Sequence, residues 1–188
     1  MLSEKEKMIR GEPYNAFDPE LVALKTQVRK LVKEYNNLDG DEKERIKSLF
    51  HEIIPDQGDN CQFLPPLRYD YGSNIHLGNN VSMDFDSVIL DVSPVYIGDN
   101  CKFGPRCSLY TATHPIDAED RKKFGLSKKI IIGNNCLFGA SVSICPGVTI
   151  GNHVIIKDGS LVCKDIPSNC IAEGNPCKVV RYLSDASQ

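Results

Sequence analysis

Apolar residues recur at every sixth position in the second half of the chain. The set comprises Ile132, Phe138, Ile144, Ile150, Ile156 and Val162. A helix repeats its buried face about every 3.6 residues and a flat strand every two, so neither predicts a sustained period of six. A fixed period of this kind is typical of stacked solenoid coils, in which short strands bury one column of side chains per wall. The pattern therefore predicts a β-solenoid.

The six-residue step also runs through the middle of the chain. Leu77, Met83 and Ile89 keep it, and Ile97, Phe103 and Leu109 resume it after two extra residues. The period breaks after His114, where the polar segment HPIDAEDRKKFGLSKK begins, and Ile132 restores it. We expect residues 115–131 to form a loop that protrudes into solvent.

The solenoid hypothesis predicts which residues stack. If three hexapeptides form one coil, residues eighteen apart lie about 4.8 Å apart, the spacing of paired strands. Cys145 is then expected above Cys163. Allowing for the loop, one internal column is expected to contain Val81, Cys101, Cys136 and Val154. The glycines that follow apolar residues, such as Gly98 and Gly133, are expected to supply turns with unusual backbone angles.

Helical patterns precede the solenoid. Ser3 and Glu6 have the spacing of a capping box, and Asp18 followed by proline predicts a second helix start. A third helix is expected to begin near Asp41 and to place its apolar side on the open end of the coil stack. The predicted fold is mainly β: a parallel β-helix with an N-terminal α-helical segment and a protruding loop. We divide it into a helical segment at 1–58, a solenoid at 59–176 and a tail at 177–188.

Charge and cysteine spacing narrow the function classes. The net charge is -3 with no cluster of lysine and arginine, which argues against a nucleic-acid partner. No apolar run reaches the length of a membrane span, and the charged N-terminus does not resemble a secretory signal, so we expect a cytoplasmic protein. The eight cysteines contain no Cys-x-x-Cys pair, which favours reduced thiols and no metal site.

Several segments resemble one known family. They are LPPLRYDYGSNIHLG, ILDVSPVYIGDN, YTATHPID, ICPGVTIG and VCKDIPSNCIAEGNPCKVVR, preceded by MIRGEPYNAFDPEL. Together they are similar to the maltose and galactoside O-acetyltransferases, the sugar branch of the hexapeptide-repeat acyltransferases. The resemblance implies a left-handed coil, a homotrimer, active sites between adjacent subunits, acetyl-CoA as the acetyl donor and a sugar as the acceptor.

The resemblance assigns catalysis to a histidine. A sugar hydroxyl needs a base before it attacks a thioester, and imidazole has a suitable pKa of about 6.5. His114 matches the catalytic position in TATHP, and direct attack without a covalent enzyme intermediate is implied. Without the motif, a histidine bonded to backbone at the start of a loop would be the simpler interpretation. His51, His76 and His153 are expected to be structural, with His76 in a turn.

The resemblance also assigns the binding residues. The positions that match acceptor contacts are Asn15, Asp70, Asp84 and Asp91. Those that match acetyl-CoA contacts are Ala140, Asp158, Cys163, Lys164, Lys178 and Arg181, of which the last three are cations suited to the nucleotide phosphates. Three positions depart from the usual pattern: Asn15 and Asp84, where maltose-type relatives carry aspartate and asparagine, and Leu137, where many carry tryptophan.

Four alternatives remain open at this point. The acceptor could be an antibiotic, an amino sugar or a saccharide precursor, or the protein could be a trimeric scaffold without turnover. A cysteine nucleophile is the rival mechanism, although no cysteine lies beside His114 in a motif. A zinc site like that of hexapeptide carbonic anhydrases needs two histidines close in sequence, and here no two lie within twenty residues.

Overall fold

The computed structural model of the protein describes residues 2–183. Three helices come first: α1 (Glu4–Arg10), α2 (Pro19–Asn36) and α3 (Lys43–Ile53). The predicted capping box is confirmed, because Ser3 Oγ accepts the Glu6 N–H and the Glu6 carboxylate accepts the Ser3 N–H. Asp18 caps α2 as predicted. The third helix begins at Lys43, two residues after Asp41.

Short parallel strands, numbered along the chain, form the three walls of a solenoid. The first wall contains β1 (Asp56–Gln57), β4 (Ile75–Leu77), β7 (Val95–Ile97), β12 (Ile130–Ile132) and β15 (Thr149–Ile150). The second contains β2 (Gln62–Phe63), β5 (Ser82–Met83), β8 (Lys102–Phe103), β13 (Leu137–Phe138), β16 (Val154–Ile156) and β18 (Cys170–Glu173), with β19 (Lys178–Tyr182) antiparallel at the end. The third contains β3 (Leu67–Tyr69), β6 (Ser87–Leu90), β9 (Ser108–Tyr110), β14 (Ser143–Ile144) and β17 (Leu161–Val162). The predicted fold class is confirmed.

The apolar residues of the six-residue period line the inside of the coils. All twelve are buried: Leu77, Met83, Ile89, Ile97, Phe103, Leu109, Ile132, Phe138, Ile144, Ile150, Ile156 and Val162. Strand registers place Val81, Cys101, Cys136 and Val154 in one internal column, as predicted, and add Cys61 and Cys170 to it. Cys145 also stacks on Cys163, since its N–H donates to the Val162 carbonyl next to Cys163. All eight cysteines are free thiols.

The length of a coil changes along the solenoid. Residues twenty apart pair in the early coils, as Ile75 does with Val95, whereas residues eighteen apart pair later, as Ile131 does with Thr149. The extra residues of the early coils lie where the chain passes from the third wall to the first. We call this corner, residues 70–74, 91–94 and 111–129 and its later continuation 145–148 and 163–165, the wide edge.

The glycines act differently from the prediction. No positive φ occurs at the six glycines that follow an apolar residue of the period: Gly78, Gly98, Gly104, Gly133, Gly139 and Gly151. A Cβ at Gly98, for example, would lie 2.8 Å from the carbonyl carbon of Gly133 in the next coil. These glycines are needed because adjacent coils approach closely at these corners. The left-handed conformations lie two residues further on, at Asn80, Asn100, Asn135 and His153. The expectation of unusual backbone angles at the glycines was therefore wrong.

The helical segment covers the first coil. The Tyr35 hydroxyl donates to the Phe63 carbonyl at 2.6 Å, and the rings of Phe50 and Phe63 pack with centroids 5.2 Å apart. The Asn36 side chain bonds both the N–H and the carbonyl of Leu67. These contacts satisfy polar groups at the open end of the coil stack, which agrees with the covering role predicted for the helices.

The segment that interrupts the six-residue period forms a small substructure. It contains an antiparallel pair, β10 (Ala112–Thr113) with β11 (Leu126–Ser127), and a short helix, α4 (Ala118–Arg121). The hydroxyl of Ser127 donates to the Met8 carbonyl at 2.7 Å, which ties the protrusion to α1. Residues 178–182 of the predicted tail form β19, and residues 184–188 lie outside the described residues.

Candidate active site

Two aspartates of adjacent coils are joined by a hydrogen bond at the wide edge. Asp91 follows β6 and is fully buried, and its Oδ1 accepts the N–H of Asp70 at 3.0 Å and the N–H of Tyr71 at 2.9 Å. Burial raises the pKa of Asp91 to about 6, although the two backbone donors oppose the shift. Its Oδ2 is buried without a hydrogen-bond partner among residues 2–183. In this structure Asp91 therefore shapes the corner that carries Asp70.

Asp70 lies on the wide edge and is partly exposed. It follows β3, and 13% of its side chain is exposed. Its Oδ1 lies 3.2 Å from Nζ of Lys25 on α2. Lys25 was missed by sequence reasoning, because helical spacing places it beside an apolar stripe and no local pattern indicates a carboxylate partner on a distant strand.

Asn15 lies beside the same corner. The neighbouring residue Tyr14 packs with Tyr71 and Val92 in one buried cluster. Burial and the negative charge of Asp70 raise the pKa of Tyr14 to about 12. Asn15 itself is exposed, with its N–H bonded to the Glu4 carboxylate and its Oδ1 accepting the Phe17 N–H at 3.0 Å. The wide edge thus brings Asn15, Asp70 and Asp91 into one region.

The chain leaves the third coil at the wide edge, and His114 lies at this point. It follows β10, whose start is held by Thr111: the Thr111 hydroxyl donates to the Leu90 carbonyl and accepts the Ser93 N–H. The imidazole is exposed and makes no hydrogen bond to any residue between 2 and 183. Both ring nitrogens are available to a ligand, so the structure does not support the interpretation of a histidine bonded to backbone.

Asp84, Ala140 and Asp158 lie at a different corner, between the second and third walls. We call this corner, residues 84–86, 104–107, 139–142 and 157–160, the narrow edge. Asp84 Oδ1 accepts the Phe85 N–H, and Asp158 Oδ1 accepts the Ala140 N–H at 2.7 Å. The strand β6, which is four residues or about 13 Å long, lies between Asp84 and Asp91. One chain therefore carries two groups of predicted site residues on separate edges.

The remaining predicted cofactor residues lie in the late coils. Cys163 and Lys164 follow β17 on the wide edge, and Lys178 and Arg181 lie on β19. All four side chains are exposed, and none of the three cations has a carboxylate partner within residues 2–183. Leu137 on the second wall is 47% exposed. These groups are available to an anionic ligand with an apolar arm.

The other histidines have structural contacts, apart from the exposed His51 on α3. His76 lies in β4 rather than in a turn, which corrects the prediction; its Nδ1 is 2.5 Å from Asp56 Oδ2, and its ring stacks on Tyr96. His153 has a φ of 54° and bonds Asn135 and Asn169 in a ladder of asparagines.

Among residues 2–183, no three His, Cys, Asp or Glu side chains are grouped so that they could hold a metal ion. No helix in this range has the length and apolar character needed to cross a bilayer.

Two family descriptions match the chain. Residues 7–58 match the maltose acetyltransferase hexapeptide capping motif, and residues 129–164 match the bacterial transferase hexapeptide with six repeats. The first covers the helices that close the solenoid, and the second covers the coils after the protrusion. The fold and these matches define a hexapeptide-repeat acyltransferase.

Individual proteins extend the match to nearly the whole chain. Galactoside O-acetyltransferase of Escherichia coli is 38% identical over 181 residues, which cover 96% of this chain and 89% of that protein. A maltose O-acetyltransferase structure from Clostridium difficile is 39% identical, covers 98% of this chain and 99% of its own, and has a TM-score of 0.96. A galactoside acetyltransferase solved in complex with coenzyme A is 37% identical, covers 98% and 93%, and has a TM-score of 0.93. The chain belongs to the maltose and galactoside O-acetyltransferase family, and it is an acyltransferase. The resemblance found in the sequence is confirmed.

Proposed function

We propose that the protein transfers the acetyl group of acetyl-CoA to a hydroxyl of a sugar such as maltose, glucose or a galactoside. His114 acts as the general base. Its imidazole removes the hydroxyl proton while the sugar oxygen bonds to the thioester carbonyl carbon. The carbon–sulfur bond then breaks, and the imidazolium returns the proton to the departing thiolate. No covalent bond to the enzyme is required.

The observation that carries this proposal is the position of His114. It is the histidine at the wide edge, its ring nitrogens make no hydrogen bonds to the described residues, and its corner also holds Asp70 and Asp91. Carboxylates are acceptors for sugar hydroxyls. A base on the same edge as a partly exposed carboxylate suits the deprotonation of a bound sugar.

The two separate edges support a homotrimer. His114 and Asp70 lie on the wide edge, whereas Asp84, Ala140 and Asp158 lie on the narrow edge. Threefold symmetry repeats one contact between unlike surfaces around a closed ring. The wide edge of one subunit would then face the narrow edge of the next, and three equivalent sites would form between subunits.

The late coils suit acetyl-CoA. Lys164, Lys178 and Arg181 provide exposed cations for the nucleotide phosphates, and the exposed side chain of Leu137 provides an apolar surface for the pantetheine arm. The related galactoside acetyltransferase was solved with coenzyme A, which supports a cofactor slot in this fold. Asn15, Asp70 and Asp84 are the proposed acceptor contacts, with Asp91 beneath them.

The test is thiol release from acetyl-CoA with a panel of mono- and disaccharides. We expect at least one sugar to support release, and His114→Ala to lower turnover by about two to four orders of magnitude. The matched control is His51→Ala on α3, which is expected to keep full activity. Light scattering should show the same assembly for all three proteins. Near-normal turnover of His114→Ala would rule out the general-base assignment.

A binding measurement separates this proposal from a scaffold without turnover. Acetyl-CoA is expected to raise the melting temperature of the wild-type protein, because it binds only the folded state. A scaffold that has lost the cofactor slot would show no shift.

A further inference from the structure

We propose that Lys25 on α2 is a positioning residue for the acceptor: it holds the Asp70 carboxylate in the orientation that receives a sugar hydroxyl. This inference rests on the proposed function. It gives the helical segment a direct part in the acceptor site, in addition to closing the solenoid.

The contacts of Lys25 are specific. Its Nζ lies 3.2 Å from Asp70 Oδ1 and 5.1 Å from the centroid of the Tyr71 ring. A cation held over an aromatic face and against a carboxylate has one preferred position. Only 25% of the Lys25 side chain is exposed, so its ammonium group is less hydrated than those of most lysines.

Asp70 has little other side-chain support. Its N–H is fixed by Asp91 Oδ1, but Lys25 is the one hydrogen-bond or ion-pair partner of its carboxylate among residues 2–183. The contact occupies Oδ1 and leaves Oδ2 to accept a hydroxyl.

A purely structural ion pair would behave differently. Partly exposed pairs contribute at most about 1 kcal/mol to stability, and loss of such a pair would change the melting temperature without changing the affinity for one substrate. A positioning residue changes the acceptor interaction and leaves the interaction with acetyl-CoA intact, because Asp70 lies apart from the late-coil cations. The distinction is therefore measurable.

The experiment compares Lys25→Met, Lys25→Arg and the control Lys30→Met, which changes an exposed lysine on the same helix. With the sugar that best supports thiol release, Lys25→Met is expected to raise the acceptor KM about fivefold and to leave kcat and the acetyl-CoA KM within about twofold. Lys25→Arg is expected to restore the acceptor KM, and Lys30→Met to match wild type. In the Asp70→Asn background, Lys25→Met should add little, since both changes act through one carboxylate.

Calorimetry gives a readout that does not depend on turnover. The same sugar, or maltose if none supports release, is titrated into wild type and Lys25→Met, and a loss of about fivefold in affinity is expected. If no sugar supports turnover but Lys25→Met still binds the sugar about fivefold more weakly than wild type, the result counts against the proposed reaction alone. An unchanged or undetectable sugar affinity, or equal changes in both KM values, would overturn the role of Lys25.

Discussion

Gly98 lies directly against Gly133 of the next coil. A Cβ built on Gly98 would lie 2.8 Å from the Gly133 carbonyl carbon and 2.9 Å from its oxygen, closer than real Cβ contacts. We expect Gly98→Ala to destabilise the protein by at least about 2 kcal/mol, because the stacked backbones must separate. Urea unfolding monitored by circular dichroism measures the change.

The control for this prediction is Gly40→Ala. A Cβ at Gly40 would have no heavy atom within 4 Å, and its φ is not positive. This variant is expected to unfold within about 0.5 kcal/mol of wild type. Equal stability of Gly98→Ala and Gly40→Ala would show that close packing between coils does not require glycine.

The raised pKa of Asp91 predicts that the stability of the protein depends on pH. Its pKa in the folded protein is about 6, above the ordinary value of 3.8. Between these values the folded protein binds the proton and the unfolded chain does not, so the free energy of unfolding falls as pH rises from about 4 to about 6 and then levels off. The difference corresponds to about 3 kcal/mol.

Asp91→Asn tests that contribution, because an amide does not titrate and can still accept the two backbone N–H groups. The difference in unfolding free energy between wild type and variant should shift in favour of the variant between pH 4 and pH 7, at equal protein concentration. Parallel pH profiles for the two proteins would mean that the buried carboxyl titrates as it does in the unfolded chain.

The thiols should differ in reactivity. Burial raises the pKa of Cys107 to about 11, whereas Cys163 is exposed beside Lys164. Since the thiolate is the reactive form, iodoacetamide should modify Cys163 early and Cys107 only after unfolding. Coenzyme A should slow modification of Cys163 if this residue lines the cofactor slot. Mass spectrometry of peptides gives the site-by-site rates, and early labelling of Cys107 or no protection of Cys163 would contradict these statements.

The sequence predicted the coil interior well because one simple rule governs it. Every sixth side chain points inward, so the period alone identified residues as distant as Leu77 and Val162 as core. Coil length was predicted less well, since the two extra residues per early coil lie at a corner where no side chain must point inward. The predicted role of the glycines was wrong because contact between coils, unlike local turn geometry, cannot be predicted from the sequence of one hexapeptide.

The candidate site, like the fold, could be predicted only in part from the sequence. The motif containing His114 identified the candidate base, because its residues are consecutive in sequence. The ion pair between Lys25 and Asp70 could not be predicted, since it joins a helix to a strand edge that only the folded chain brings together. The separation of Asp84 from His114 on two edges likewise depends on which wall each strand joins.

Hybrid trimers test most directly whether the site is shared between subunits. His114→Ala and Asp84→Ala chains, each with little activity alone, are co-expressed with different tags, and mixed assemblies are purified. If His114 of one subunit works with Asp84 of the next, each mixed trimer has one complete site in three, and about a third of wild-type activity should return. If both residues serve one site within a single chain, every site carries a defect, and activity no higher than that of the separate variants would contradict the account.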